Sequence, residues 1–170
     1  MSAPRIVLVG LPGSGKSTVG PLVAARLAWR FIDLDDEVVR LAGRSIPEIF
    51  AAEGEPGFRE RERQATAALA HSGPLVLAPG GGWILDPANR EALGSVTIVV
   101  YLEVAPEVAA TRMGGSAMAR PLLAGGDLAH RLRELLAQRE SMYLQANHKV
   151  SVDLLSPEEV AALIVALASA

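Results

Sequence analysis

Ile6-Val7-Leu8-Val9-Gly10-Leu11-Pro12-Gly13-Ser14-Gly15-Lys16-Ser17-Thr18 is the stretch on which the reading of this chain turns. A short run of β-branched and aliphatic residues reads as a buried strand. It runs straight into G-x-x-x-x-G-K-[ST], the pattern of a phosphate-binding loop, which needs a strand before it and a helix after it. Val19, Leu22, Val23 and Leu27 supply the helical spacing on the far side. Gly10, Gly13 and Gly15 let the backbone wrap so that successive N–H groups point at one anion. Lys16 places a positive charge among the β- and γ-phosphates, Ser17 offers a hydroxyl to Mg²⁺, and the positive end of the following helix faces the same anion. The loop specifies a nucleoside triphosphate and leaves open what receives the phosphate.

Working outward, short apolar runs alternate with helical patterns. Strands are expected at 5–10, 30–34, 75–78, 96–102 and 148–152, and helices at 16–28, 36–42, 46–53, 57–72, 87–93, 106–113, 128–145 and 157–168. Five strands separated by helices predict an α/β fold with a parallel sheet covered on both faces. In such sheets ligands sit beyond the carboxyl ends of the strands. The first strand delivers Gly10–Lys16 there, the second Asp33 and Asp35, and the third Gly80, Gly81 and Gly82, so three chemically unusual segments share one rim.

Composition narrows the class. A chain of 170 residues, half of them hydrophobic, can bury one substantial core. A net charge of −3 disfavours a nucleic-acid binder, which normally carries a basic excess. Cysteine is absent, which excludes disulfides and cysteine metal sites and suits a cytoplasmic setting. No apolar run is long enough for a membrane span, and no leader is expected before the loop at residue 10. The segment 156–159, Ser-Pro-Glu-Glu, reads as the capped start of a final packed helix. His71, His130 and His148 show no ligand spacing, so the only metal expected is Mg²⁺ carried in with the nucleotide.

The remaining candidates follow from charge and spacing. Asp33 and Asp35 share a side if the strand persists, one placed for metal-bound water and the other for the acceptor hydroxyl; Asp36 fits a helix cap better. Phe58-Arg59-Glu60-Arg61-Glu62-Arg63 reads as a solvated, self-paired face, with Arg59 the residue expected to turn inward. Arg139 and Tyr143 lie four apart and share a helix face. Arg112 precedes a glycine-bearing stretch, 114–127, that reads as a mobile flap, and Arg120 within it is placed to close on phosphates.

Taken together, the loop at residues 10–18, Asp33-Leu34-Asp35, Gly43-Arg44-Ser45-Ile46, Phe58-Arg59, Gly80-Gly81-Gly82, Arg120-Pro121-Leu122-Leu123, and Arg139 with Tyr143 resemble the shikimate kinase family over nearly the whole chain. The resemblance implies a three-layer α/β/α P-loop kinase domain spanning 1–170. Its five-stranded parallel sheet would have the order 2-3-1-4-5, with an acceptor-binding region at about 34–63 and a lid at about 113–126. It implies a cytoplasmic monomer that transfers the γ-phosphate of ATP to the 3-hydroxyl of shikimate on the way to chorismate and aromatic amino acids. Under the resemblance, Gly13, Ser14, Gly15, Lys16, Ser17 and Thr18 hold the phosphates, and Arg112 lies near the adenine. Arg120 reaches in from the lid, and Ser17 and Asp33 (through water) serve Mg²⁺. Asp35 holds ring hydroxyls and orients or deprotonates the acceptor. Arg59 and Arg139 bind its carboxylate, with Gly81 and Gly82 helping to hold the ring. Lys16, Asp35 and Arg120 form the catalytic set.

Pro79 and Trp83 stand where the family usually has smaller residues, and the segment between Arg112 and Arg120 is about one residue longer than in some relatives. Trp83 is expected to cover the edge of the core rather than narrow the acceptor pocket. Two other readings remain: a kinase for another small polyol acid such as gluconate, and a nucleotide-binding module without turnover. A GTPase is disfavoured because no Asn-Lys-x-Asp guanine motif occurs.

Overall fold

The computed structural model describes residues 4–114 and 127–170. Five strands form one sheet: β1 (Arg5–Val9), β2 (Arg30–Asp33), β3 (Leu75–Ala78), β4 (Thr97–Glu103) and β5 (His148–Ser151). Every pairing is parallel and the order is β2-β3-β1-β4-β5, as the resemblance implied. β1 is wholly buried between β3 and β4, which explains why its residues are continuously apolar after Arg5. The chain leaves β1 toward β2 on one side and later crosses from β3 to β4 on the other. The crevice at that switch point opens above Val9, where the phosphate loop begins.

Among the described residues seven α-helices flank the sheet: α1 (Lys16–Leu27), α2 (Leu34–Ala42), α3 (Ile46–Ala68), α4 (Pro87–Leu93), α5 (Pro106–Met113), α6 (Leu128–Tyr143) and α7 (Pro157–Ala168). Local chemistry sets their ends. α3 and α7 start with complete capping boxes, Ser45 with Glu48 and Ser156 with Glu159. α1 differs: Gly15 is its N-cap at φ 101° and supplies no side-chain cap, so the first-turn N–H groups stay directed at the crevice. Tyr143 at the end of α6 stacks on Tyr101 of β4 with ring centroids 5.0 Å apart, which ties that helix to the sheet.

Several element ends shift by one or two residues from the sequence reading, and three differences bear on the site. β2 stops at Asp33 and α2 begins one residue later, so the acidic pair is not arranged by strand pleating. The cap of α2 is Asp33, not Asp36: its side chain accepts from the N–H groups of Asp35 and Asp36. The two helices expected at 46–53 and 57–72 are one element broken at Gly54, where φ 68° and ψ −176° are outside helical space; a 3-10 turn, Leu69–His71, finishes it. The lid residues 115–126, Arg120 among them, lie outside the described residues.

Arg5 is a buried charge at the opposite end of β1 from the crevice. Its guanidinium donates to Leu93 O at 3.0 Å, Ala70 O at 2.6 Å and Ser72 O at 3.1 Å. These carbonyls belong to the ends of α4 and of the α3 segment, where helical geometry leaves acceptors over and the dipole favours a cation. Replacing Arg5 by Met keeps the volume and orphans the carbonyls. Arg5→Met is expected to lower the free energy of unfolding by about 2–4 kcal/mol, read by urea denaturation. An unchanged transition midpoint would remove Arg5 from this role.

Candidate active site

A cavity of about 370 Å³ lies along the phosphate loop. Gly13 to Thr18 form one wall, Arg112 and Met113 of α5 another, and Val152, Leu155, Pro157 and Val160 close the far end. Its character therefore changes along its length, from backbone N–H groups, lysine and hydroxyls to an apolar slot beside one guanidinium. A chain of phosphates ending in an aromatic base has that same gradient. Arg112 is held in place there by donating to Val152 O at 3.0 Å. Gly13 has to be glycine: at φ 81° a Cβ would stand 2.7 Å from Ala109 O, so α5 packs directly on the loop.

At the mouth of the loop, Lys16 Nζ lies 2.7 Å from Gly10 O and 2.9 Å from Leu11 O. Ser17 Oγ donates to Asp33 Oδ2 at 2.9 Å, while Asp33 Oδ1 caps α2. One carboxylate thus links the start of α1 to the start of α2. A hydroxyl and a carboxylate this close offer hard oxygen donors, a set that fits Mg²⁺ with water and phosphate oxygens completing its shell.

A second cluster beside the loop is organised by the absence of three side chains. A Cβ on Gly81 would lie 2.7 Å from Arg139 Nη1 and 3.2 Å from the Tyr143 hydroxyl. One on Gly82 would lie 2.7 Å from Arg59 Cζ, and one on Gly80 3.4 Å from Asp35 Oδ1 and 3.5 Å from Glu62 Oε2. Arg59, Arg139, Asp35 and Glu62 come from three different helices and meet at this short piece of main chain. Tyr143 holds it by donating to Gly81 O at 2.6 Å. The two halves of the site touch at Gly10, whose carbonyl receives Lys16 and stands 3.3 Å from where a Gly81 Cβ would be.

Electrostatically this second cluster is buried and of mixed charge. Arg139 is 4% exposed, and its Nε has no hydrogen-bond partner among the described residues. A buried guanidinium N–H left over in this way calls for an oxygen from outside the described residues. Arg59 donates to Glu62 Oε1 at 3.1 Å and to Glu55 Oε1 at 3.3 Å, and its guanidinium lies 5.2 Å from the centre of the Phe58 ring. Burial pushes the Glu62 carboxyl up to about 7, against the pull of Arg59 and Arg139 and with a further push from Asp35. Tyr143 is likewise raised by burial, so its hydroxyl keeps its proton and remains a donor.

A family model described as Shikimate kinase matches residues 12–168. The chain belongs to the shikimate kinase family. It is 46% identical over 162 residues to the shikimate kinase of Symbiobacterium thermophilum, covering 94% of this chain and 93% of that one. It is 48% identical over 147 residues to that of Synechococcus sp. strain RCC307, covering 86% and 75%. A solved shikimate kinase from Acinetobacter baumannii, in complex with shikimate, superposes with a TM-score of 0.91 at 39% identity, covering 97% of this chain and 92% of the other.

Within this shikimate kinase fold, the residues singled out from sequence, apart from Arg120, which lies outside the described residues, form two groups that adjoin at Gly10. Gly13 to Thr18 and Arg112 line the cavity, Asp33 meets Ser17, and Asp35, Arg59 and Arg139 converge on Gly80–Gly82. Glu62 was missed. It was read with the solvated charges of 58–63, but its side chain is 1% exposed. The signal was available in helical spacing, since Glu62 follows the inward-turned Arg59 by three residues and shares its face.

Glu62 makes stability depend on pH in a known direction. Its folded-state value is above the ordinary 4.5, so the folded protein binds the proton more tightly than the unfolded chain does. Its contribution is therefore fully present below about 4.5 and is lost as pH rises through about 7. Urea denaturation of the native protein and of Glu62→Gln at pH 5 and pH 8 should show the native protein losing stability relative to the variant at the higher pH. Parallel curves would contradict the buried-carboxyl assignment.

Proposed function

We propose that the γ-phosphate of ATP passes directly to the 3-hydroxyl of shikimate in the crevice above β1, giving shikimate 3-phosphate and ADP. As a member of the shikimate kinase family the chain is a phosphotransferase, and ATP-dependent phosphorylation of shikimate in aromatic biosynthesis is its reaction. The observation that carries the assignment of roles is the convergence of Asp35, Arg59 and Arg139 on Gly80–Gly82, next to the carbonyl that receives Lys16.

In this reading the phosphates lie along Gly13–Thr18, with backbone N–H groups and the α1 terminus facing their oxygens. Lys16 leaves its carbonyl partners for the β- and γ-phosphates and follows the charge that migrates to the transferring group. Ser17, and Asp33 through water, hold Mg²⁺, which spreads the charge of the triphosphate. Arg112 and the slot at Val152 and Pro157 take the base. On the other side, Arg139 and Arg59 grip the acceptor carboxylate as two planar forks, which fixes the ring as well as binding it. Asp35 accepts from the ring hydroxyls and holds, or takes, the proton of the attacking oxygen. Backbone groups of Gly81 and Gly82 approach the ring because no Cβ stands in the way. Arg120 completes the catalytic set from the lid, an assignment made from sequence.

Among the described residues no helix is long and apolar enough to cross a membrane. The same reading takes the protein to be a monomer working in the cytoplasm.

The deciding experiment is ADP release with ATP and Mg²⁺ against shikimate, quinate, gluconate and nucleoside monophosphates. Turnover should be fastest with shikimate, poorer with quinate, and absent with gluconate and the nucleoside monophosphates. Gluconate outrunning shikimate would overturn the acceptor assignment, and ADP release with none of them would favour a module without turnover. Asp35→Asn is expected to lower kcat by about 10²–10⁴-fold while the ATP KM stays within about twofold. Arg139→Ala should raise the shikimate KM by about 10²-fold or more, because a charge-assisted fork is lost. A normal shikimate KM would take Arg139 out of the site.

A further inference from the structure

Glycines 80 to 82 have no side chains with which to anchor themselves, so their position has to be set by their neighbours. The neighbour that does this is Trp83. It opens a short 3-10 turn, Trp83–Leu85, and is completely buried. Its backbone is held on both sides: the N–H donates to Gly80 O at 3.1 Å, and the carbonyl accepts from the buried Asn89 Nδ2 at 3.0 Å. Its indole Nε1 donates to Thr66 Oγ1 at 3.0 Å, and that hydroxyl donates in turn to Glu62 O at 2.8 Å. Thr66 thus uses its one proton and one of its lone pairs, and both partners are buried.

These contacts close a circuit. Thr66, Glu62 and Arg59 follow one another on a single face of α3 at spacings of four and three. Glu62 holds Arg59 through its carboxylate, and Arg59 presses its guanidinium against Gly82, the residue covalently joined to Trp83. A shift of the indole moves Gly82 directly, and a shift of Thr66 moves the turn of α3 that carries Glu62 and Arg59. We propose that Thr66 and Trp83 are a positioning pair whose hydrogen bond fixes the separation between the Arg59 guanidinium and the Gly82 backbone, the two sides of the seat for the acceptor carboxylate. This rests on the assignment of Arg59 and Gly82 to the acceptor.

The test is steady-state kinetics for both substrates, with melting temperatures, on Thr66→Val, Thr66→Ser, Trp83→Phe and Arg59→Ala. Thr66→Val and Trp83→Phe are expected to raise the shikimate KM about three- to tenfold, with the ATP KM and kcat within about twofold of native. Thr66→Ser keeps the hydroxyl and is expected to return the shikimate KM to within about twofold of native. The pair's role is overturned if Thr66→Val lowers the melting temperature without moving the shikimate KM, if both KM values rise together, or if serine fails to rescue. Arg59→Ala separates the two levels. A raised shikimate KM there, with none in Thr66→Val, removes the positioning role and leaves the acceptor assignment standing; an unchanged KM in Arg59→Ala removes both. Thr66→Val and Thr66→Ser decide the question alone should Trp83→Phe not fold.

Discussion

Two guanidinium groups stand where the β-carbons of Gly81 and Gly82 would be, and the half of the crevice proposed to take the acceptor is built around that space. Arg139 arrives from α6 and Arg59 from α3, so two helices on different parts of the chain are drawn to one turn of backbone after β3. Any side chain at Gly81 or Gly82 would meet nitrogen before reaching van der Waals distance, and neither arginine has much room to yield. Arg139 is buried along its length, and Arg59 is pinned by Glu62 and Glu55. The requirement for glycine is therefore less about backbone freedom than about close approach, since both the arginines and a ring have to share the same main chain.

That arrangement has an electrostatic consequence. Burying cations is costly unless they are paired. Here the pairing is incomplete: Glu62 serves Arg59 directly and acts on Arg139 only at longer range, leaving Arg139 Nε over. Glu62 itself bears the cost of burial as a raised carboxyl value near neutrality. A ligand carboxylate relieves the strain on the arginines but adds negative charge beside Glu62 and Asp35. On the proposed assignment of the acceptor, the crevice favours a small acid whose carboxylate reaches the arginines and whose hydroxyls, not further charges, face Asp35. That is the distribution of polar groups on shikimate, and a nucleoside monophosphate does not share it.

What could be read from the sequence was what is local. The phosphate loop, the apolar β1 and the glycine triplet each declare themselves within a few residues, because backbone conformation and strand burial are short-range demands. Asp33, Asp35 and Arg59 lie beside the phosphate loop and the glycine triplet, but strand pleating is not what brings the two aspartates there. Asp33 acts as the cap of α2 with one oxygen and as partner of Ser17 with the other, a division visible only once β2 ends a residue early. Glu62 stayed hidden because an alternating run of arginine and glutamate looks the same on a solvated face and on a half-buried one. The spacing of three from the inward-turned Arg59 is the one local signal that separates Glu62 from the rest of the run, and the break at Gly54 sets the direction of the second half of α3 that carries both.

Trp83 shows how a departure from a family's habit should be weighed. On sequence grounds Trp83 is expected to cover the edge of the core, not to narrow the acceptor pocket. The structure turns the indole away from the crevice and beds it against Thr66 behind α3. A residue can thus alter a binding site without lining it. Shape on the ligand's side of the glycines is set by the absence of side chains, and placement is set from the other side by the residue next in the chain. Where a turn is built from glycines, the nearest anchored neighbour carries the geometric information that the glycines cannot hold, and here that neighbour, Trp83, is bonded to Thr66 on the face of α3 that also carries Glu62 and Arg59.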